Sequence, residues 1–231
     1  MNRTHRAFRA ELFAGVFASL LLLTSAATPA ADAPPVSKDG LTLQKQTKQR
    51  LVYVKPGATL AQYKRVHIIE CYVEFAKDWQ RDYNRNTTSL DRKVSDADVQ
   101  RMKTRLSDAF KKVFTDELQN KGGYQVVDVA APDVLVLRPA IINVQVTAPD
   151  VQSAGISRTI IQSAGQATLY LELWDSSTNT ILARVVDAQA DQNSYAQRGN
   201  AVTNTAAAET VLRRWAHELR QKLDTANGKN T

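Results

Sequence analysis

The stretch "GQATLYLELWD" (165–175) limits the fold more than any other part of the chain. Ala167, Leu169, Leu171 and Leu173 fall on one side of an extended backbone, and Thr168, Tyr170, Glu172 and Trp174 on the other. A strict period of two belongs to a strand with one dry face and one wet face. The polar turn "SSTN" follows and "TILARVVDAQAD" (180–191) returns, which reads as a hairpin. A lone hairpin cannot hide its leucines, so a second layer must cover that face.

Two segments have the pattern to do so. Ser95 is a helix N-cap, with Asp96 and Asp98 placed at the positive end of the helix dipole. Val99, Met102, Leu106, Phe110, Val113, Phe114 and Leu118 then recur at three- and four-residue steps, and Gly122-Gly123 supplies a left-handed end. A second apolar stripe, from Val202 to Asp224, contains Ala208, Val211, Leu212, Trp215, Leu219 and Leu223. Further strands are expected in "KRVHIIECYVEF" (64–75), "YQVVDV" (124–129) and "VLVLRPAIINVQV" (134–146). The better core face of 64–75 is His67, Ile69, Cys71, Val73 and Phe75, and the unit 64–129 suits a parallel crossover. The fold class expected is α/β, an α+β sandwich. A mixed, mainly antiparallel sheet of about five strands carries two long helices on one face. Residues 51–224 make one domain, opening on the short extended piece "RLVYVKPG". Before it, 31–50 reads as a flexible leader; after it, 225–231 reads as a frayed tail; 76–94 reads as a long loop.

The start of the chain bears on destination. Arg3, Arg6 and Arg9 precede the uncharged run Leu12–Leu23, and small residues (Ser25, Ala26, Ala27, Ala30, Ala31) follow. That is the layout of a secretory signal peptide, with cleavage expected between about 27 and 31. The run is shorter than the roughly 20 apolar residues a membrane span needs, so no stable anchor is expected after cleavage. The expected location is the bacterial periplasm or the exterior. The full chain has a formal net charge of +7, and loss of 1–30 leaves 27 basic against 22 acidic side chains. An excess of this kind aids solubility, and without a recognition motif it does not point to nucleic acid. Cys71 is the single cysteine, so no internal disulfide forms. His67 and His217 are the histidines left after cleavage. That is too sparse a set for a catalytic or structural zinc site, and no cofactor is expected.

Several of these motifs together resemble a known family. "YVKPGATLAQYKRVHI" places a Lys-Pro-Gly turn and Tyr63 ahead of a long strand; "ELQNKGGYQVVDVAAPDVLVLRPAIINV" runs from a helix into two strands. With "LYLELWDSSTNTILARVVD" and "WAHELRQKL", the stretch 51–224 resembles the bacterial, envelope-associated lipoprotein family called domain of unknown function 3313. The resemblance implies an envelope location and carries no catalytic residues with it. Many members look like lipoproteins, whereas "LTSAATPA" has no cysteine for a lipid, so a released protein is expected.

Candidate contacts come from two segments. Trp79 and Tyr83 stand among Arg81 and Arg85, a stacking platform for a sugar, a peptide or an anionic polymer, or a tryptophan folded back over the sheet edge. Ile156, Ile160 and Ile161 lie in the long segment 147–166, either as a partner contact or as a return to the core. Cys71 with His67 is too far apart along a strand for a nucleophile and base, and reads as a buried hydrophobe. His217 reads as solvated. Asp175 and Asp187 are either paired acids or turn residues. No catalytic, cofactor or metal site is assigned. The expected role is non-enzymatic contact with another envelope protein or an anionic envelope polymer. The alternatives are a carboxylate-based hydrolase using 76–94 and 147–165, and a small-molecule carrier.

Overall fold

The computed structural model describes residues 33–146, 149, 159–161, 165–190, 197–199 and 201–229. Eight strands form one mixed sheet: β1 (Thr42–Gln46), β2 (Arg50–Val54), β3 (Arg65–Ile68), β4 (Tyr72–Phe75), β5 (Gln125–Val126), β6 (Val134–Val146), β8 (Gly165–Asp175) and β9 (Thr180–Ala190). A separate antiparallel pair joins β7 (Thr159–Ile161) to β10 (Gln197–Gly199). Strand order in the main sheet is β1-β2-β9-β8-β6-β3-β5, and β4 also pairs with β6. β3 and β4 run parallel to β6, and β3 parallel to β5; the other pairings are antiparallel. The helices are α1 (Trp79–Asn86), α2 (Asp96–Thr115) and α3 (Ala201–Ala226).

The hairpin that dictated a layered fold is present as read, with β8 and β9 antiparallel and Leu169, Leu171 and Leu173 buried. Phe110, Phe114 and Leu118 from the α2 side and Leu212, Trp215, Leu219 and Leu223 from α3 join those leucines in one core. Ser95 closes a reciprocal capping box. Its N–H donates to Asp98 Oδ2 at 2.8 Å and its Oγ accepts from the Asp98 N–H at 3.2 Å. Beyond Thr115 the helix widens into a π turn, Asp116–Lys121, and Gly123 takes the left-handed conformation (φ 69°) that ends it.

The sheet is larger than the five strands expected, for two physical reasons. The leader is not loose: Val36 bridges Thr42, β1 pairs with β2, and Leu41 is fully buried. Segment 64–75 is not one strand but two, because the backbone breaks between Ile68 and Tyr72. Val66 and Ile68 are buried before the break; Cys71, Val73 and Phe75 are buried after it. The break switches which parity faces inward, so His67 lies off the core and both strands still dock on the long β6. "YQVVDV" contributes only the two-residue β5.

Two expectations of loose chain are also corrected. Segment 76–94 holds α1 and a short 3-10 turn at Leu90–Arg92. Asn84 clamps it to the start of α2 by donating to Val94 O at 2.8 Å and accepting from Val94 N–H at 2.7 Å. The tail is tied as far as Lys229, whose ammonium donates to Gly122 O at 2.6 Å and sits 3.9 Å from the Tyr124 ring centroid. Residues 230–231 lie outside the described residues.

Candidate functional site

α1 follows β4 through Asp78, whose left-handed backbone (φ 62°) turns the chain back along the sheet. Its first residue, Trp79, is half-buried. The ring lies 4.5 Å from Phe75 and 5.9 Å from Tyr83, and its indole N–H donates to Val146 O at 3.2 Å. The tryptophan therefore anchors the helix to the end of β6. Arg81 is exposed and paired with Asp78 at 3.0 Å and Asp82 at 3.1 Å, and Arg85 is 4.0 Å from Asp82. What α1 offers outward is Arg81, Arg85 and the half-exposed Tyr83. Ile156 lies outside the described residues, while Ile160 and Ile161 fall in β7 opposite Arg198 and Gln197.

The face of the sheet away from α2 and α3 holds a second cluster, built by the strand register. Glu172 of β8 stands opposite Arg138 of β6 and Arg184 of β9, so both arginines share its face. Glu172 accepts from Arg184 Nε at 2.9 Å, Tyr170 OH at 3.0 Å and Trp174 Nε1 at 3.0 Å. The Arg138 guanidinium sits 4.1 Å over the Trp174 ring and donates to Asn179 at 2.8 Å. Arg184 also pairs with Asp39 at 2.6 Å, which fastens the N-terminal segment across this face. The alternation of "LYLELWD" named the β8 half; Arg138 and Arg184 were missed, because only the cross-strand register brings them to Glu172.

Four buried carboxylates, Asp187, Asp175, Glu117 and Asp224, each tie together segments distant in sequence. Asp187, 1% exposed, is 2.5 Å from Arg50 Nη2 and accepts from Trp215 Nε1 at 3.1 Å. Asp175 accepts from Tyr63 OH at 2.7 Å and from the Ser177 and Thr178 amides of the hairpin turn. Burial alone would raise the Asp175 carboxyl, but these bonds outweigh it and hold the group below the usual range. Asp175 closes the turn end of the hairpin and Asp187 lies well along β9: Asp187 faces Leu169, six residues from Asp175, a separation of roughly 20 Å along β8. Paired glycosidase acids stand no more than about 9.5 Å apart, so the two aspartates do not form such a pair.

At the π turn, Glu117 is buried beneath α3. It accepts from Lys121 at 2.8 Å and Arg220 Nε at 2.9 Å, and His217 Nδ1 lies 2.9 Å away. His217 is thus part of an interhelical network, not merely solvated. Burial opposes the charge on Glu117, but these donors prevail and bring its carboxyl down to about 2. Arg220 also donates to Asp224 at 2.9 Å, and Tyr124 OH donates to the same carboxylate at 2.8 Å. Cys71 faces the core, where desolvation pushes its thiol up to about 12, while His67 points to Asp128 at 3.8 Å. The two do not meet. Among the described residues no three His, Cys, Asp or Glu side chains converge as a metal site, and no helix is long and apolar enough to cross a membrane.

Solved structures give loose likenesses. PelC from Paraburkholderia phytofirmans, crystallised as a dodecamer, is 12% identical with a TM-score of 0.37, covering 74% of this chain and 97% of that one. A Xanthomonas campestris protein of family DUF330 is 16% identical with a TM-score of 0.37, covering 76% of this chain and 91% of its own. A PDZ-domain protein from Parabacteroides distasonis is 9% identical with a TM-score of 0.37 and is covered over 36% of its length. No curated protein matches the chain. A family model does match, over residues 35–219, from the leader through β9 and most of α3, and the chain belongs to the DUF3313 family of proteins of unknown function.

Proposed function

We propose that the protein is an exported cell-envelope domain that acts by binding another envelope component, without catalysis of its own. The observation that carries this reading is how the buried carboxylates are used: Glu117, Asp175, Asp187 and Asp224 each spend their oxygens on structural partners. Glu74, Asp98, Glu117, Asp133 and Asp175 are all held below their ordinary range, each by hydrogen bonds or ion pairs to structural partners. A general acid working near neutrality needs a carboxyl pushed upward, which is the reverse displacement. The basic, apolar and small-residue layout of 1–31 supports export. The outward side of α1, with Arg81, Tyr83 and Arg85, is the contact surface assigned to a protein partner; Trp79 fixes its position from beneath. The test is mass spectrometry on the native protein from fractionated cells. The expected result is a mature N-terminus between about 27 and 31, no lipid, and a companion lost in an Arg81→Ala/Arg85→Ala variant. Recovery in the cytoplasm with Met1 intact, or as a lone monomer from intact periplasm, defeats the reading.

A further inference from the structure

The positive charge of this protein is not spread over it. From Ala33 to Arg65 there are seven basic residues and one acidic residue; from Val66 to the end there are 20 of each. The whole excess beyond residue 32 therefore sits in the leader, β1, β2 and the chain up to the start of β3. The one acid in that stretch, Asp39, is paired with Arg184 from the sheet face, so it does not offset the neighbouring lysines. Arg50 is committed to Asp187 and Glu218, Arg65 to Asp133, and Lys64 to Asn227. That leaves Lys38, Lys45, Lys48 and Lys55, all exposed and without an ion pair among the described residues.

These four lie along the outermost edge of the sheet. Thr42 faces Val54, so Lys38 and Lys55 flank one end of the β1–β2 hairpin; Lys45 and Lys48 occupy its other end. The strand between them is about 15 Å long. Lysine on an edge strand also blocks unwanted strand pairing, which accounts for Lys45 but not for Lys38, Lys48 or Lys55, which lie outside β1. Around the lysines, Gln44 and Gln49 are exposed amides, each able to donate and accept. Val36, beside Lys38, is the one large hydrophobic exposed along 33–55, and a single valine is too little apolar surface to enter a bilayer.

We infer that the β1–β2 edge binds a linear anionic polysaccharide, its carboxylates on Lys38, Lys45, Lys48 and Lys55 and its hydroxyls on the glutamine amides. The inference rests on reading the protein as an exported binder and names what one surface of it takes. The test uses the purified mature protein with polygalacturonate as probe, dextran as the neutral control and anionic phospholipid vesicles as a third arm. Polygalacturonate is expected to bind at low salt, weaken as salt rises, and bind about tenfold less tightly to a Lys45→Gln/Lys48→Gln variant. A Lys111→Gln/Lys112→Gln variant, with the same loss of charge on α2, is expected to stay within about twofold. Unchanged thermal melts confirm that both variants fold. Absence of polygalacturonate binding, equal loss in both variants, or tighter binding to vesicles overturns the assignment. Because the measurement is made on purified protein, its failure is separate from a failure of export, which fractionation reads.

Discussion

Glu117 shows how much one buried carboxylate does here. It joins the π turn to α3 through Arg220 and His217, and Lys121 is its third partner. Its folded-state carboxyl lies at about 2, below the ordinary 4.5. A group depressed on folding contributes stability that is full above its unfolded value and is lost as pH falls through the folded one. Stability is therefore expected to decline between about pH 4.5 and pH 2. In a Glu117→Gln variant that part of the decline is absent, while stability at neutral pH is already reduced by about 3 kcal/mol, because Arg220 and Lys121 lose a buried charge partner. Urea titrations at a series of pH values read both effects; an unchanged acid slope in the variant contradicts this account.

At the scale of elements, the end of the π turn is a tightly constrained junction. A Cβ on Gly122 would lie 2.7 Å from Leu118 O and 2.9 Å from both Arg220 Cδ and Tyr124 Cδ2. The first of these is backbone and cannot swing away. Gly122→Ala is expected to destabilise by about 1–3 kcal/mol, as overpacking does. A thermal melt followed by circular dichroism checks it, and an unchanged midpoint shows that the turn yields. "KGGY" advertised a helix end, but neither the π turn nor the Glu117 network is visible in it. What the sequence made legible followed from regular periods: the β8–β9 hairpin, β6, the stripes of α2 and α3 and the Ser95 cap. What it hid followed from tertiary geometry. Segment 64–75 carries apolar residues at both parities, so a break that switches the buried face leaves no signature. "WQRDYNRN" lacks an aliphatic repeat because α1 is held by one tryptophan stack and an asparagine clamp. Arg138 and Arg184 join Glu172 only through pairing between strands distant in sequence.

For the whole molecule, the N-terminal segment is the second cover of the sheet. α2 and α3 bury one face; residues 33–41, just before β1, lie on the other, where Leu41, Tyr53 and Ile181 form a small core with Trp174 against it. Tyr53 OH donates to Pro34 O at 3.0 Å, and Arg184 holds Asp39. A polar, lysine-rich stretch after two prolines reads as a tether, yet it supplies an edge strand and a buried leucine. Two truncations separate these readings. A chain beginning at Ala33 is expected to melt like the mature protein. A chain beginning at Arg50 uncovers Tyr53, Ile181 and Trp174 and leaves β2 as an edge without Lys45 or the irregular pairing between Leu43 and Lys45. It is expected to lose at least the stability that Leu41→Ala removes, about 2–5 kcal/mol, and to self-associate through the bared strand. Denaturant midpoints and size-exclusion profiles of the three proteins measure both effects. If the Arg50 chain keeps its midpoint and stays monomeric, residues 33–49 are a tether after all, and the lysines they carry act from a loose chain, with no fixed edge to set their spacing.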